Sequence, residues 1–147
     1  MPLPRTCSPT HPYELLGRSR LPSFGSQNGR TPVRVHVVED DAGVSDSLSL
    51  ILANLGHDVV SYPDAESLFS STPPDGSDTV IVDLSLPGIS GAQVVRWLLK
   101  LAAVPRVVVI TGQSQSVIEH QLRGLKPAGL VRKPLDVETL ARAIPVE

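Results

Sequence analysis

The sequence VIVDLSLPG, Val80 to Gly88, places an aspartate between an apolar run and a Pro-Gly loop signal. Val80–Val82 are apolar and largely β-branched, which is typical of a buried strand. A carboxylate at the end of such a strand is costly to bury unless a cation or hydrogen-bond donors compensate its charge. Asp83 therefore needs partners from elsewhere in the chain.

Similar strands alternate with helical patterns from residue 33 onward. Strands are predicted at 33–38, 58–62, 79–84, 106–111 and 129–133, and helices at about 44–55, 64–69, 91–102, 114–123 and 137–144. Continuous apolar strands that alternate with amphipathic helices predict an α/β fold with a parallel sheet covered on both faces. In such folds, ligands bind beyond the carboxyl ends of the strands.

Composition narrows the class of protein. The 147 residues suffice for one domain with a substantial core, and the 41% hydrophobic and 3% aromatic content predicts an aliphatic core. A net charge of −2 gives no support for a nucleic-acid or anionic-membrane surface. No apolar stretch approaches the roughly 20 residues that span a bilayer. The single cysteine, Cys7, excludes an internal disulfide and suits a cytoplasmic protein.

Residues 1–32 differ in composition from the rest of the chain. They are rich in Pro, Ser, Thr and Gly, and they carry four arginines against one acidic residue. We predict that they form an irregular or disordered extension. The single globular domain is then expected to occupy residues 33–147, with no output domain after it.

The predicted carboxyl ends of four strands carry reactive side chains. Glu39 and Asp40 follow the first strand, Asp83 ends the third, Thr111 ends the fourth and Lys133 ends the fifth. Converging carboxylates repel one another, and Mg²⁺ with oxygen ligands relieves that repulsion. The metal, the ammonium and the hydroxyl also suit a phosphoryl group, and a carboxylate can be its acceptor.

Four segments together resemble the receiver domain of two-component response regulators. They are VHVVEDD, VIVDLSLPGISG, VVVITG and the pair Lys133-Pro134. The resemblance covers about residues 33–145. It implies a flavodoxin-like (βα)5 fold, doubly wound, with five parallel strands in the order 2-1-3-4-5.

The resemblance also implies a site. Asp83 is expected to accept a phosphoryl group from a histidine kinase. Glu39 and Asp40 form the acidic pair that holds Mg²⁺ together with Asp83, and the backbone carbonyl of Ser85 is a further metal ligand.

Two further roles follow from the resemblance. Thr111 is expected to move to a phosphoryl oxygen, and Lys133 to pair with the phosphoryl group. The expected chemistry is self-phosphorylation from a phosphodonor and slow autodephosphorylation, without enzymatic turnover of a separate substrate. The expected partners are a sensor histidine kinase or phosphotransfer protein and a downstream protein, with a homodimer left open.

The chain departs from the family around its fifth strand. Leu130 stands where receivers usually carry Tyr or Phe as a switch residue, and the region 123–130 contains Pro127. These changes motivate an alternative function, a receiver-like adaptor that binds its partner largely independently of phosphorylation. A hydrolase of the haloacid dehalogenase type is disfavoured, because Ser85 stands where its second acid would be needed.

Four other residues are interpreted as structural. His36 lies within the apolar first strand, where a hydrogen-bonded core histidine is favoured over a metal ligand. Phe69 and Trp97 are interpreted as packing residues, and Asp41 as a residue that helps to start the first helix.

Overall fold

The computed structural model describes residues 32–144, so the extension predicted for residues 1–32 lies outside the described residues except for Pro32. The strands are β1 (Arg34–Val38), β2 (Asp58–Tyr62), β3 (Thr79–Asp83), β4 (Arg106–Thr111) and β5 (Gly129–Arg132). The helices are α1 (Ala42–Asn54), α2 (Ala65–Phe69), α3 (Gly91–Leu99), α4 (Gln115–Gln121) and α5 (Val137–Ala143). Within this range, no helix is both long and apolar enough to cross a membrane.

The five strands form one parallel sheet in the order β2-β1-β3-β4-β5. The central strand β3 pairs Ile81 with Val37 of β1 on one side and with Val108 of β4 on the other. All carboxyl ends therefore meet at one edge, and the strand order reverses between β1 and β3. This confirms the predicted fold class and places the expected ligand edge beside Asp83.

Alternate residues of the strands feed two aliphatic cores, one on each face of the sheet. Val82 belongs to the core that α2, α3 and α4 cover, and Ile81 to the core that α1 and α5 cover. Phe69 and Trp97 meet edge to face, with ring centroids 4.7 Å apart, at the border of the first core. Their interpretation as packing residues is confirmed.

Each of the five helices begins with a side chain that accepts a backbone hydrogen bond from the first turn. The capping residues are Asp41, Asp64, Ser90, Ser114 and Asp136. Such caps stabilise a helix because the first N–H groups have no partner within it. The expected position of Asp41 at the start of the first helix is confirmed.

Helices α3 and α4 end earlier than predicted. α3 stops at Leu99 instead of 102, since the chain must turn there to reach β4, which starts at Arg106. α4 stops at Gln121 instead of 123, and Gly124 then adopts a positive φ of 80°. The chain then forms an irregular connection up to the start of β5 at Gly129.

His36 is a hydrogen-bonded core residue, as predicted. Its Nδ1 lies 3.0 Å from the hydroxyl of Tyr62 and its Nε2 lies 2.8 Å from a carboxylate oxygen of Asp78. Because the ring is 4% exposed, these two bonds satisfy polar atoms that water does not reach.

His57 is a second buried histidine, and its surroundings differ. Gly56, with a φ of 96°, ends α1, and the N–H of His57 donates to Leu52 in the arrangement that often closes a helix. Among residues 32–144, neither ring nitrogen has a hydrogen-bond partner of good geometry. Burial lowers the pKa of His57 below its ordinary 6.5, although the nearby carbonyls of Ile144 and Val33 act in the opposite direction.

We predict that His57 makes the fold less stable in mild acid. Below about pH 6.5 the unfolded chain takes up a proton on this imidazole while the folded chain resists it, so stability falls as the pH drops toward the folded-state pKa. Urea midpoints at pH 7.5 and pH 5.5 should differ more for the wild type than for His57→Leu. Equal losses in the two proteins would contradict the prediction.

Candidate functional site

Three carboxylates converge at the carboxyl edge of the sheet. Glu39 and Asp40 follow β1, and Asp83 is the last residue of the adjacent strand β3. One oxygen of each lies within 4.8 Å of the others. Glu39 and Asp83 are each 2% exposed, whereas Asp40 is exposed. The parallel register thus brings together the acidic residues that the sequence singled out.

Lys133 is the cation beside this cluster. It follows β5, and its Nζ lies 3.1 Å from Asp83 Oδ2 and 3.2 Å from Glu39 Oε1. The contact with Asp83 is a hydrogen bond, but the contact with Glu39 is an ion pair without hydrogen-bond geometry. Two buried carboxylates therefore share one ammonium, and their charges are only partly balanced.

Backbone amides hold the remaining carboxylate oxygens. The N–H of Ser85 donates to Asp83 Oδ1 at 2.9 Å, and the N–H of Asp41 donates to Glu39 Oε2 at 3.1 Å. These bonds fix the direction in which each carboxylate points. They also explain how Asp83, at the end of an apolar strand, is accommodated with little exposure to water.

The electrostatics of the site reflect its burial. Burial and the neighbouring Asp83 raise the pKa of Glu39 to about 7. Burial alone would lower the pKa of Lys133, but the hydrogen bond to Asp83 and the negative charges of Asp83 and Glu39 outweigh this effect, and the net pKa is raised. The site thus has an excess of negative charge that a further cation would relieve.

The acidic cluster fits a hard divalent cation. Glu39 Oε1 is buried, and among residues 32–144 it has the ion pair with Lys133 but no hydrogen bond, so its capacity to accept is not used up. Together, the three carboxylates provide the oxygen donors that Mg²⁺ prefers. The carbonyl of Ser85 directly follows Asp83, and its role as a ligand stays a prediction.

Thr111 ends β4 next to this cluster. Its side chain is buried, and its Oγ1 accepts a hydrogen bond of 3.0 Å from the N–H of Gln113. The backbone N–H of Lys133 donates to the carbonyl of Thr111 at 2.9 Å, which ties the ends of β4 and β5 together. Within the described residues, Thr111 forms no side-chain hydrogen bond with Asp83 or Lys133.

Leu130 is the second residue of β5, two positions before the carboxyl end of the strand. It pairs with Val109, two positions before Thr111, and it is 39% exposed. Leu130, for which the resemblance implied a switch role, is therefore an aliphatic side chain at the surface, and that role stays a prediction.

Two residues of the site region were not singled out from the sequence. Gly91 starts α3 so close to β3 that a Cβ there would collide with the carbonyl oxygen of Asp83 and the Cα of Leu84. A glycine inside the first turn of a helix is unfavourable by itself, and this is the signal that could have indicated a close approach. Arg132, the last residue of β5, contacts the loop after β4. No feature of the sequence around it indicated this contact.

Comparison with known proteins gives a family match over residues 35–145, described as "Response regulator receiver domain". Among related proteins, the transcriptional regulatory protein FixJ of Azorhizobium caulinodans is 28% identical over 110 residues, covering 75% of this chain and 52% of that protein. Nodulation protein W of Bradyrhizobium diazoefficiens is 30% identical over 122 residues, covering 82% of this chain and 53% of that protein. The chain spans about half the length of these curated relatives.

Solved structures share the fold. The crystal structure titled FixJ-N has a TM-score of 0.68 at 25% identity and covers 77% of this chain and 90% of its own. The structure of the chemotaxis response regulator CheY4 of Vibrio cholerae has a TM-score of 0.68 at 19% identity. The match covers 78% of this chain and 100% of the CheY4 chain.

We predict that Gly91→Ala displaces Asp83 and destabilises the domain. The added Cβ meets backbone atoms that cannot move without shifting the end of β3, so the free energy of unfolding should fall by about 1–3 kcal/mol. Urea unfolding measures this loss. Gly129→Ala is the matched control, because its Cβ would lie 3.8 Å from Val108. Similar losses in both variants would refute the close-approach argument.

Proposed function

Since the chain belongs to the response regulator receiver domain family, we propose that Asp83 accepts a phosphoryl group from a histidine kinase or a phosphotransfer protein. The observation that carries this proposal is the contact of Asp83 with Lys133 inside a cluster of three carboxylates. A lone strand-end aspartate would need neither the lysine nor the acidic neighbours.

The proposed reaction is a transfer between two residues. A carboxylate oxygen of Asp83 forms a bond to phosphorus, the bond from phosphorus to the donor's imidazole nitrogen breaks, and the electron pair stays on that nitrogen. Lys133 loses its hydrogen bond to a free carboxylate and gains an anionic phosphoryl oxygen as partner. In this proposal the protein mainly positions and neutralises charge, which is what phosphoryl transfer requires.

Glu39, Asp40 and Asp83 are the side chains proposed to hold Mg²⁺, with the carbonyl of Ser85 as a further ligand. A bound Mg²⁺ supplies positive charge that offsets the charge of the transferring group. Glu39 contributes a buried oxygen without a hydrogen-bond partner among the described residues, and Asp40 contributes the solvent-exposed side of the cluster.

Thr111 is proposed to donate its hydroxyl to a phosphoryl oxygen after transfer. Its present hydrogen bond from Gln113 shows that the hydroxyl lies in a defined position at the end of β4. Turning toward the phosphoryl group would change the loop that follows. We propose that this change alters the binding of a downstream protein or of a second copy of the chain.

We predict that labelling of the protein by acetyl phosphate requires Asp83 and Mg²⁺. Asp83→Asn replaces the nucleophilic carboxylate with an uncharged amide, so labelling should fall to background, and chelation of Mg²⁺ should have the same effect on the wild type. Intact-protein mass spectrometry detects the added phosphoryl group.

Asp46→Asn is the matched control for this experiment, because Asp46 is an exposed aspartate on α1. It should be labelled like the wild type. A folded wild-type protein that no phosphodonor labels in the presence of Mg²⁺ would refute the proposed function.

A second candidate function, a phosphorylation-independent adaptor, follows from Leu130. An aliphatic, 39% exposed side chain at this position has no polar tip and no aromatic ring with which to report a change at Thr111. The two functions differ in one measurable property. Beryllofluoride, which mimics the phosphoryl group, should change partner affinity or self-association if the first is correct, and equal binding with and without it would favour the adaptor.

A further inference from the structure

Arg132 contacts the loop that follows Thr111. It is the last residue of β5, it pairs with Thr111 across the sheet, and its side chain is exposed. Its Nη1 donates to the backbone carbonyl of Gln113 at 2.8 Å, and its Nη2 donates to the side-chain carbonyl of Gln115 at the start of α4. One guanidinium thus spans the connection between β4 and α4.

Gln113 is held from both sides by this arrangement. Its N–H donates to Thr111 Oγ1 at 3.0 Å, while its carbonyl accepts from Arg132. The next residue, Ser114, caps α4. Between a strand end and a helix cap, the hydrogen bonds of Gln113 therefore fix the path of the loop.

Gln115 is also oriented for this contact. Its side-chain nitrogen donates to Glu119 one turn later at 3.0 Å, which directs the amide oxygen toward Arg132. A guanidinium suits this geometry because its N–H groups form a rigid fork that can reach two acceptors at once. A lysine at the same position presents a single donor group.

We propose that Arg132 is a positioning residue that holds the β4–α4 loop, and with it Thr111, in the arrangement that precedes phosphorylation. The inference rests on the proposed function of Asp83 and Thr111. If the Thr111 hydroxyl turned to a phosphoryl oxygen, the Gln113 N–H would lose its acceptor, so the loop would have to shift. Arg132 holds the Gln113 carbonyl in its present place, so a shift that separates the two would have to break this hydrogen bond, and we infer that Arg132 opposes it.

The position of Leu130 adds to this argument. Leu130 lies two residues before Arg132 on the same strand and cannot form hydrogen bonds through its side chain. Among the side chains of β5, the polar link to the loop is therefore made by Arg132. We infer that the resistance of the domain to activation depends on this guanidinium.

Titration with beryllofluoride at saturating Mg²⁺, followed by amide NMR signals, tests the inference on the whole chain. Arg132→Gln should lower the half-saturating concentration about three- to tenfold, the effect expected for one or two exposed charge-assisted hydrogen bonds. Arg132→Lys should give an intermediate value. The amide signal of Gln113 in unliganded Arg132→Gln should also move toward its position in the saturated wild type, a shift that simple loss of stability does not produce.

Arg96→Gln is the matched control, because Arg96 is exposed on α3 and forms no side-chain hydrogen bond with any residue from 32 to 144. It should titrate like the wild type. An unchanged or raised half-saturating concentration for Arg132→Gln, with normal binding by the wild type, would overturn this inference alone. A wild type that neither binds beryllofluoride nor is labelled on Asp83 would overturn the proposed function and this inference with it.

Discussion

Asp83 and Glu39 lie side by side with almost no exposure to water, and Lys133 is the cation that both contact. Two carboxylates so close together repel each other, and burial adds a desolvation cost to each. The fold reduces this cost with one ammonium and two backbone N–H groups, yet one oxygen of Glu39 stays without a hydrogen bond among the described residues. The remaining negative charge is what makes this cluster a candidate for a cation, and the hydrogen bonds around it keep the carboxylates in place.

The sheet and the acidic residues could be predicted from the sequence because both depend on short-range patterns. Apolar runs that end in Glu39, Asp83 or Lys133 show where parallel strands stop, and parallel strands stop at a common edge. The early ends of α3 and α4 could not be predicted to the residue. They depend on how the chain turns back toward β4 and β5, and helical propensity does not encode that path.

The two residues that the sequence did not reveal, Gly91 and Arg132, act through contacts between elements. The close approach of Gly91 to Asp83 exists only after α3 packs on β3. The reach of Arg132 depends on the pairing of β5 with β4, which places it opposite Thr111. The family resemblance implied a role for each site residue, but it could not show the contacts that Arg132 makes with the loop after β4.

His57 also marks where the described chain begins and ends. Its ring lies near the carbonyls of Val33, which precedes β1, and of Ile144, which follows α5. Both positions are at the amino edge of the sheet, opposite the carboxylates and roughly 17 Å away, the length of a five-residue strand. The chain therefore enters and leaves the described domain at the edge opposite the acidic cluster, and neither junction, at Val33 or at Ile144, stands between that cluster and an approaching phosphodonor.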